Sequence, residues 1–148
     1  MSQKILSEKQ YCTFYLDNHF LGIGVREVQE VLKYQPMTSV PLADDVVAGL
    51  INLRGQIVTA LDLRKVMGLA HLDGRLPMNI VVRSDDGPLS LLVDEIGDVV
   101  EVEADFFEDP PETLEVSFRH LIRGVYKLEG KLMLVLDLER AVFSLVDA

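Results

Sequence analysis

Tryptophan is absent from the chain, and cysteine occurs once, at Cys12. A lone cysteine closes no internal disulfide, so the fold must rest on its apolar core. No apolar run reaches the ~18 to 20 residues that a membrane-spanning helix needs. The opening Met1-Ser2-Gln3-Lys4-Ile5-Leu6-Ser7 lacks the longer apolar stretch and small-residue cleavage site of a secretory signal. These absences point to a soluble protein of the reducing cytosol, with no direct membrane insertion. Basic residues are missing from Ser84 to Phe118, a stretch that holds twelve of the 24 Asp and Glu. With a formal net charge of −10, the surface repels nucleic acid and anionic lipid, which are themselves densely negative. The acidic stretch reads as a solvated face, and it also suits a basic partner.

Motifs for catalysis are missing as well. His19, His71 and His120 show no local pairing with one another or with Cys12, so no nucleophile stands beside a base in the sequence. His19 falls next to a hairpin turn and His71 in a polar loop, which places both at the surface. No His/Cys spacing matches a zinc site, and the acidic stretch lacks the Asp-x-Asp-x-Asp-Gly pattern of a calcium loop. Gly22-Ile23-Gly24 lacks the third glycine and the strand-to-helix setting of a dinucleotide fingerprint. A phosphate loop is absent too. We therefore expect a binding module and not an enzyme, with no metal and no cofactor.

What the 148 residues do contain is a core, since 49% are hydrophobic, and a hidden repeat. Gly49 to Leu63 and Gly124 to Leu138 align at a constant offset of 75, with six of fifteen positions identical. Each copy reads as strand, tight turn, strand, then Leu-Asp-Leu opening a short helix. Gly55 and Gly130 supply the positive φ that the turns require. Upstream, Phe14 to Val28 and Ile80 to Ile96 follow one plan at an offset of 68. Each half is a hairpin, a bend, and a Gly-turn hairpin. Val25, Val28 and Leu32 fall at helical spacing, which reads as a bend packing one face on the core. The change of offset puts seven additional residues between Asp98 and Ile122, within an acidic stretch that reads as a loop.

Two halves of about 70 residues each bury too little surface to stand comfortably alone. The expectation is therefore an all-β fold with short helices, in which two small barrels share an apolar seam. One domain spans 1–148, with a first barrel repeat over about 10–67 and a second over about 78–142, an arrangement that leaves room for strands or helices to be exchanged between them. Leu63 to Gly68 reads as a short helix stopped by glycine, with its counterpart at Leu138 to Leu145. Asp62 and Asp137, each between two leucines before a helix, suit N-terminal caps and not an acid pair. At the tips of the equivalent hairpins the charges are opposite, Arg54 against Glu129. A solvated tip tolerates either, but an arginine beside the ridge Leu50, Ile51, Leu53 is the kind of anchor that interfaces favour. Val28, Glu30 and Arg54 belong to one half and border a groove fit for an amphipathic helix from a partner.

The residues Val28-Gln29-Glu30-Val31, Gly49-Leu50-Ile51-Asn52-Leu53-Arg54-Gly55 and Leu61-Asp62-Leu63-Arg64 resemble the bacterial chemotaxis coupling proteins, the CheW-like family. The resemblance runs from about Gln10 to Val142. It implies two intertwined five-stranded SH3-like barrels. It also implies a cytoplasmic, non-enzymatic adaptor that joins the signalling tip of a chemoreceptor to the regulatory domain of a histidine kinase, recruited to higher-order arrays at the inner membrane. Carried over residue by residue, the receptor-binding positions are Val28, Glu30, Ile51, Leu53, Arg54, Ile80 and Val81. The kinase-binding positions are Phe106, Phe107, Glu108 and Asp109. Here the sequence departs from the pattern, because family members often carry a basic residue in that loop, and this one is acidic. The same fold also serves surface-sensing, pilus or biofilm pathways. A small barrel binding single-stranded nucleic acid would need a basic groove and stacking aromatics, which this chain lacks.

Overall fold

The computed structural model describes residues 10–70 and 74–146, so the polar-loop expectation for His71 lies outside it. Among the described residues are eleven strands and three short α-helices. The first half contributes β1 (Gln10–Leu16), β2 (His19–Gly24), β3 (Val28–Leu32), β4 (Val47–Leu53), β5 (Gln56–Asp62) and α1 (Leu63–Val66). The second contributes β6 (Met78–Val82), β7 (Leu89–Val93), β8 (Glu95–Glu101), β9 (Phe107–Glu108), α2 (Val116–Arg119), β10 (Ile122–Leu128), β11 (Lys131–Leu136) and α3 (Leu138–Val146).

The strands form two sheets, ordered β8-β1-β2-β11-β10-β9 and β3-β6-β7-β5-β4. Each sheet contains the first hairpin of the other half: β1–β2 lies among the strands of the second half, and β6–β7 among those of the first. The exchange obeys the repeat. β5 pairs in parallel with β7 and β11 with β2, while β3 pairs with β6 and β8 with β1. Each sheet is therefore built from strands of both halves.

The segment Val28–Leu32, where the spacing predicts a bend, is a strand preceded by a 3-10 turn over Val25–Glu27. Its apolar spacing comes from the turn followed by strand alternation, two short periods that together imitate a helical one. Arg83 holds the joint by donating to the Arg26 and Val28 carbonyls at 2.9 and 2.7 Å.

Both sheets are drawn towards closure by the chain that leaves their edge strand. After β3, Thr38 exchanges backbone hydrogen bonds with Leu50 of β4 at 2.9 and 2.8 Å. After β8, the short β9 pairs with β10, Glu108 opposite Val125. A glycine admits each crossing: a Cβ on Gly49 would stand 2.8 Å from the Thr38 carbonyl oxygen, and one on Gly124 would stand 2.7 Å from that of Glu108 and inside the Phe107 ring. The acidic stretch, expected as a loop, therefore carries a strand that seals the second sheet. Thr38 and Glu108 are 70 residues apart. Of the seven additional residues, two thus precede the sealing strand and five follow it, in the segment containing α2.

Three apolar clusters fill the fold. One joins the sheets, drawing on β1, β2, β5, β6, β7, β10, β11 and all three helices, with Phe14, Leu16, Leu61, Ile80, Leu91 and Leu136 fully buried. A second, around Tyr11, Tyr126 and Met133, lies in the first sheet, and a third, around Ile51, Val58 and Val81, in the other. Ile51 and Tyr126, Val58 and Met133, Ala60 and Val135 occupy equivalent places 75 residues apart. Burying each such side chain is worth about 1.5–3 kcal/mol.

Candidate functional site

The β4–β5 hairpin turns in two residues, Arg54 and Gly55, both at positive φ (52° and 87°). Asn52 fastens the turn, its Oδ1 accepting from the Gly55 N–H at 2.9 Å. This backbone is the type I′ geometry, whose twist matches that of the flanking strands and whose preferred residues are Asn and Gly. An arginine in the left-handed region costs about 1–2 kcal/mol. The guanidinium of Arg54 is ion-paired with the Glu30 carboxylate, the side chains being 69% and 21% exposed. So exposed a pair is worth about 0.2–1 kcal/mol. The pair does not offset the conformational cost, so stability alone does not select arginine here. Glu129, at the equivalent tip, has no positive φ; there only Gly130 does (79°).

The ion pair ties the β3 edge to the hairpin tip across the closing point of the sheet. The exposed apolar side chains nearest in the chain to these two residues are Val31, which follows Glu30 on β3, and Ile57 on β5, neither of which the sequence reading singled out. The alternation of β3 was the available signal for Val31, and it was obscured by the bend assignment. Val28 is half-buried against the core joining the sheets. The remaining candidates behave differently. Ile51, Ile80 and Val81 are fully buried and Leu53 nearly so. Their side chains support the surface from beneath: Ile80 and Val81, neighbours on β6, face opposite sides and are each covered, Ile80 by the cluster joining the sheets and Val81, with Ile51 and Leu53, by the third cluster.

The second candidate set divides in the same way. Phe106, Glu108 and Asp109 are exposed. Phe107 is turned inward over Gly124 and packs on Tyr126 with ring centroids 5.1 Å apart. Lys127 pairs with Glu108 at 3.3 Å, so part of the acidic edge is already neutralised.

Elsewhere the charged residues have structural roles. Asp62 accepts from the Lys65 N–H at 3.4 Å and Asp137 from the Arg140 N–H at 3.1 Å, each at the start of a helix. Arg64 is buried and pairs with Asp17 at 2.8 Å and Asp94 at 2.6 Å, and it donates to the Ala70 carbonyl at 2.7 Å. It thereby clasps α1 to the β1–β2 turn and to the crossing from β7 to β8. His19 packs on Phe118 at 4.5 Å, and His120 is exposed. A wide cleft of about 620 Å³ lies between Arg26–Glu27, the β6–β7 turn and the first turns of α3. Its lining mixes Arg26, Arg83 and Arg140 with Glu27, Asp85, Asp86 and Glu139. Among the described residues no group of three His, Cys, Asp or Glu is placed to hold a metal ion, and no helix is long and apolar enough to cross a membrane. The chemistry available at the Arg54 edge is recognition: a guanidinium and a carboxylate beside exposed aliphatic side chains.

Comparison with known proteins gives one consistent result. The family model described as the CheW-like domain matches residues 10–145. The chemotaxis protein CheW of Thermotoga maritima is 28% identical over 139 residues, covering 93% of this chain and 89% of that one. The chemotaxis protein CheW of Bacillus subtilis is 28% identical over 138 residues, covering 93% and 88%. Among solved structures, the scaffolding protein TtCheW from Thermoanaerobacter tengcongensis superposes with a TM-score of 0.77 at 26% identity, over 87% of this chain and 88% of that one.

Proposed function

The chain belongs to the CheW-like family, and from that premise we propose that it is a non-catalytic coupler in chemotaxis signalling, working by binding alone. Its partners are the helical signalling tip of a chemoreceptor and the regulatory domain of a histidine kinase. The receptor takes the edge formed by Val28, Glu30, Val31, Arg54 and Ile57. The kinase takes the acidic edge at Phe106, Glu108 and Asp109. The coupler works in the cytoplasm, within arrays of receptors.

The observation that carries this reading is Arg54. It occupies a left-handed position that glycine would fill at lower cost, and its exposed ion pair returns less than the backbone loses. A residue kept against its conformational preference, at an exposed tip beside Val31 and Ile57, is accounted for by a partner. The two aliphatic side chains supply area and the ion pair supplies register, as at other interfaces where an arginine is the anchor. The pair also spans the closing point of the sheet, so a partner that draws Arg54 away from Glu30 alters how the β3 edge is held.

The test is co-sedimentation of the cognate kinase with receptor-bearing membranes, with and without this protein, reading kinase autophosphorylation in the pellet. The wild-type chain brings the kinase down and changes its activity. Arg54→Glu sets two carboxylates side by side at Glu30, folds normally by thermal melt, and loses coupling. Reversal of Glu108 and Asp109 to lysine weakens kinase association more than receptor binding. An Arg54→Glu chain that unfolds makes the arginine structural. One that couples as well as wild type removes the receptor edge from this place.

A further inference from the structure

The repeat that built the fold also built a second copy of the Arg54 edge, with its charges altered. The registers prove the equivalence: Val31 of β3 stands opposite Ile80, and Val99 of β8 opposite Cys12, each pair 68 residues from its counterpart. Both pairings shift one place further along, between Val28 and Glu30 and between Cys12 and Phe14. Asp98 therefore takes the place of Glu30. In the hairpins, Leu53 faces Gln56 and Leu128 faces Lys131, so Glu129 and Leu132 take the places of Arg54 and Ile57. Nine large apolar side chains are exposed among the described residues, and four of them fall in these two sets: Val31 (39%), Ile57 (62%), Val99 (57%) and Leu132 (36%).

The electrostatics of the two edges differ. On the first edge a carboxylate and a guanidinium neutralise one another. On the second, Asp98 and Glu129 are both exposed carboxylates with no ion pair among the described residues. The lysines of that hairpin are engaged elsewhere. Lys127 pairs with Glu108, and Lys131 lies over the Phe20 ring at 4.3 Å and donates to the Tyr15 hydroxyl at 3.1 Å. Among the described residues, no cation stands to Asp98 and Glu129 as Arg54 stands to Glu30.

We infer that the edge formed by Asp98, Val99, Glu129 and Leu132 is a further protein-binding surface, and that its occupant is a basic amphipathic segment of a partner. That segment brings an arginine or lysine to the two carboxylates and lays aliphatic side chains on Val99 and Leu132. A nucleic acid or a lipid headgroup is repelled, since twelve acids and no base lie between Ser84 and Phe118. A second copy of this chain is disfavoured by its charge of −10 and by the engagement of Arg54 with Glu30. This inference rests on residues other than those assigned to the receptor and the kinase above, although Glu108 is tied to the same hairpin through Lys127.

The probe is a synthetic helical peptide of about 18 residues, long enough to hold a helix, with leucines on one face flanked by arginines. Its counterpart carries glutamates for the arginines. Titrated into the full chain and followed by amide NMR, the basic peptide shifts the signals of Asp98, Val99, Glu129 and Leu132, and the acidic one does not. Asp98→Lys with Glu129→Lys weakens binding about tenfold or more. Asp85→Lys with Asp86→Lys makes the same change of total charge at the β6–β7 turn and leaves binding near wild type. Equal loss in both double variants means bulk attraction only and overturns the assignment. Shifts confined to other residues, or dimers in sedimentation that the lysine pair at 98 and 129 abolishes, overturn it as well.

Discussion

Replacing Arg64 by methionine tests how the two sheets are held together. The Arg64 side chain is 9% exposed and that of Asp94 is 8%, while Asp17 is 44% exposed. Methionine matches much of the volume and removes the charge. Asp17 then turns to water, but the Asp94 carboxylate stays buried, with the Asp17 N–H still donating to it at 2.8 Å. Stranding one charge of a buried pair costs about 3–5 kcal/mol, a large share of the roughly 5–15 kcal/mol that holds a domain together. For a chain of this length each kcal/mol lowers Tm by about 2–4 °C, so a fall of roughly 6–20 °C is expected. Adding Asp94→Asn removes the stranded charge while keeping an acceptor for the Asp17 N–H, and most of the loss returns. The four stabilities, from urea titrations read by circular dichroism, give the coupling between the two residues. A loss below about 1 kcal/mol for Arg64→Met, the worth of an exposed pair, refutes the clasp. So do two single-variant losses that simply add.

Arg54→Gly is expected to leave stability within about 1 kcal/mol of wild type or to raise it, because relief of the left-handed backbone offsets the ion pair; the pellet assay nonetheless shows coupling lost. Gly124→Ala pushes on the Phe107 ring and the Glu108 carbonyl, and overpacking of this kind costs about 1–3 kcal/mol, visible as a lowered urea midpoint. Asp62→Ala and Asp137→Ala each remove a cap and lower stability by about 1 kcal/mol, measured the same way. The exchange of hairpins predicts a single cooperative unfolding transition, so near-ultraviolet and far-ultraviolet melts of the wild-type chain coincide.

Local features were legible because they depend on neighbours in the chain. The glycines at the two turns, the capping aspartates and the short helix ended by Gly68 all follow from backbone preferences within a few residues, and the offset of 75 is read by laying one segment on the other. β3 was not, because a 3-10 turn running into a strand spaces its valines as a helix does. The sealing strand at Phe107–Glu108 was hidden for another reason. Two residues carry no periodicity, and their pairing depends on a glycine met again only at position 124.

The candidate site divides along the same line. Sequence pattern and resemblance picked out Glu30 and Arg54, which the fold joins in one ion pair. They did not separate outward from inward side chains: Ile51, Ile80 and Val81 are core, while Val31 and Ile57 face solvent. Which faces of a strand meet a core, one as at the start of β5 or both as on β6, is fixed only when the sheets pack. What the sequence determined by itself was the repeat, its turns and caps, and therefore two similar β-rich halves. Which strands pair with which, that each half lends its first hairpin to the other, and which charges meet at each edge were decided by tertiary structure. Those choices depend on burying one shared seam between sheets built from strands of both halves.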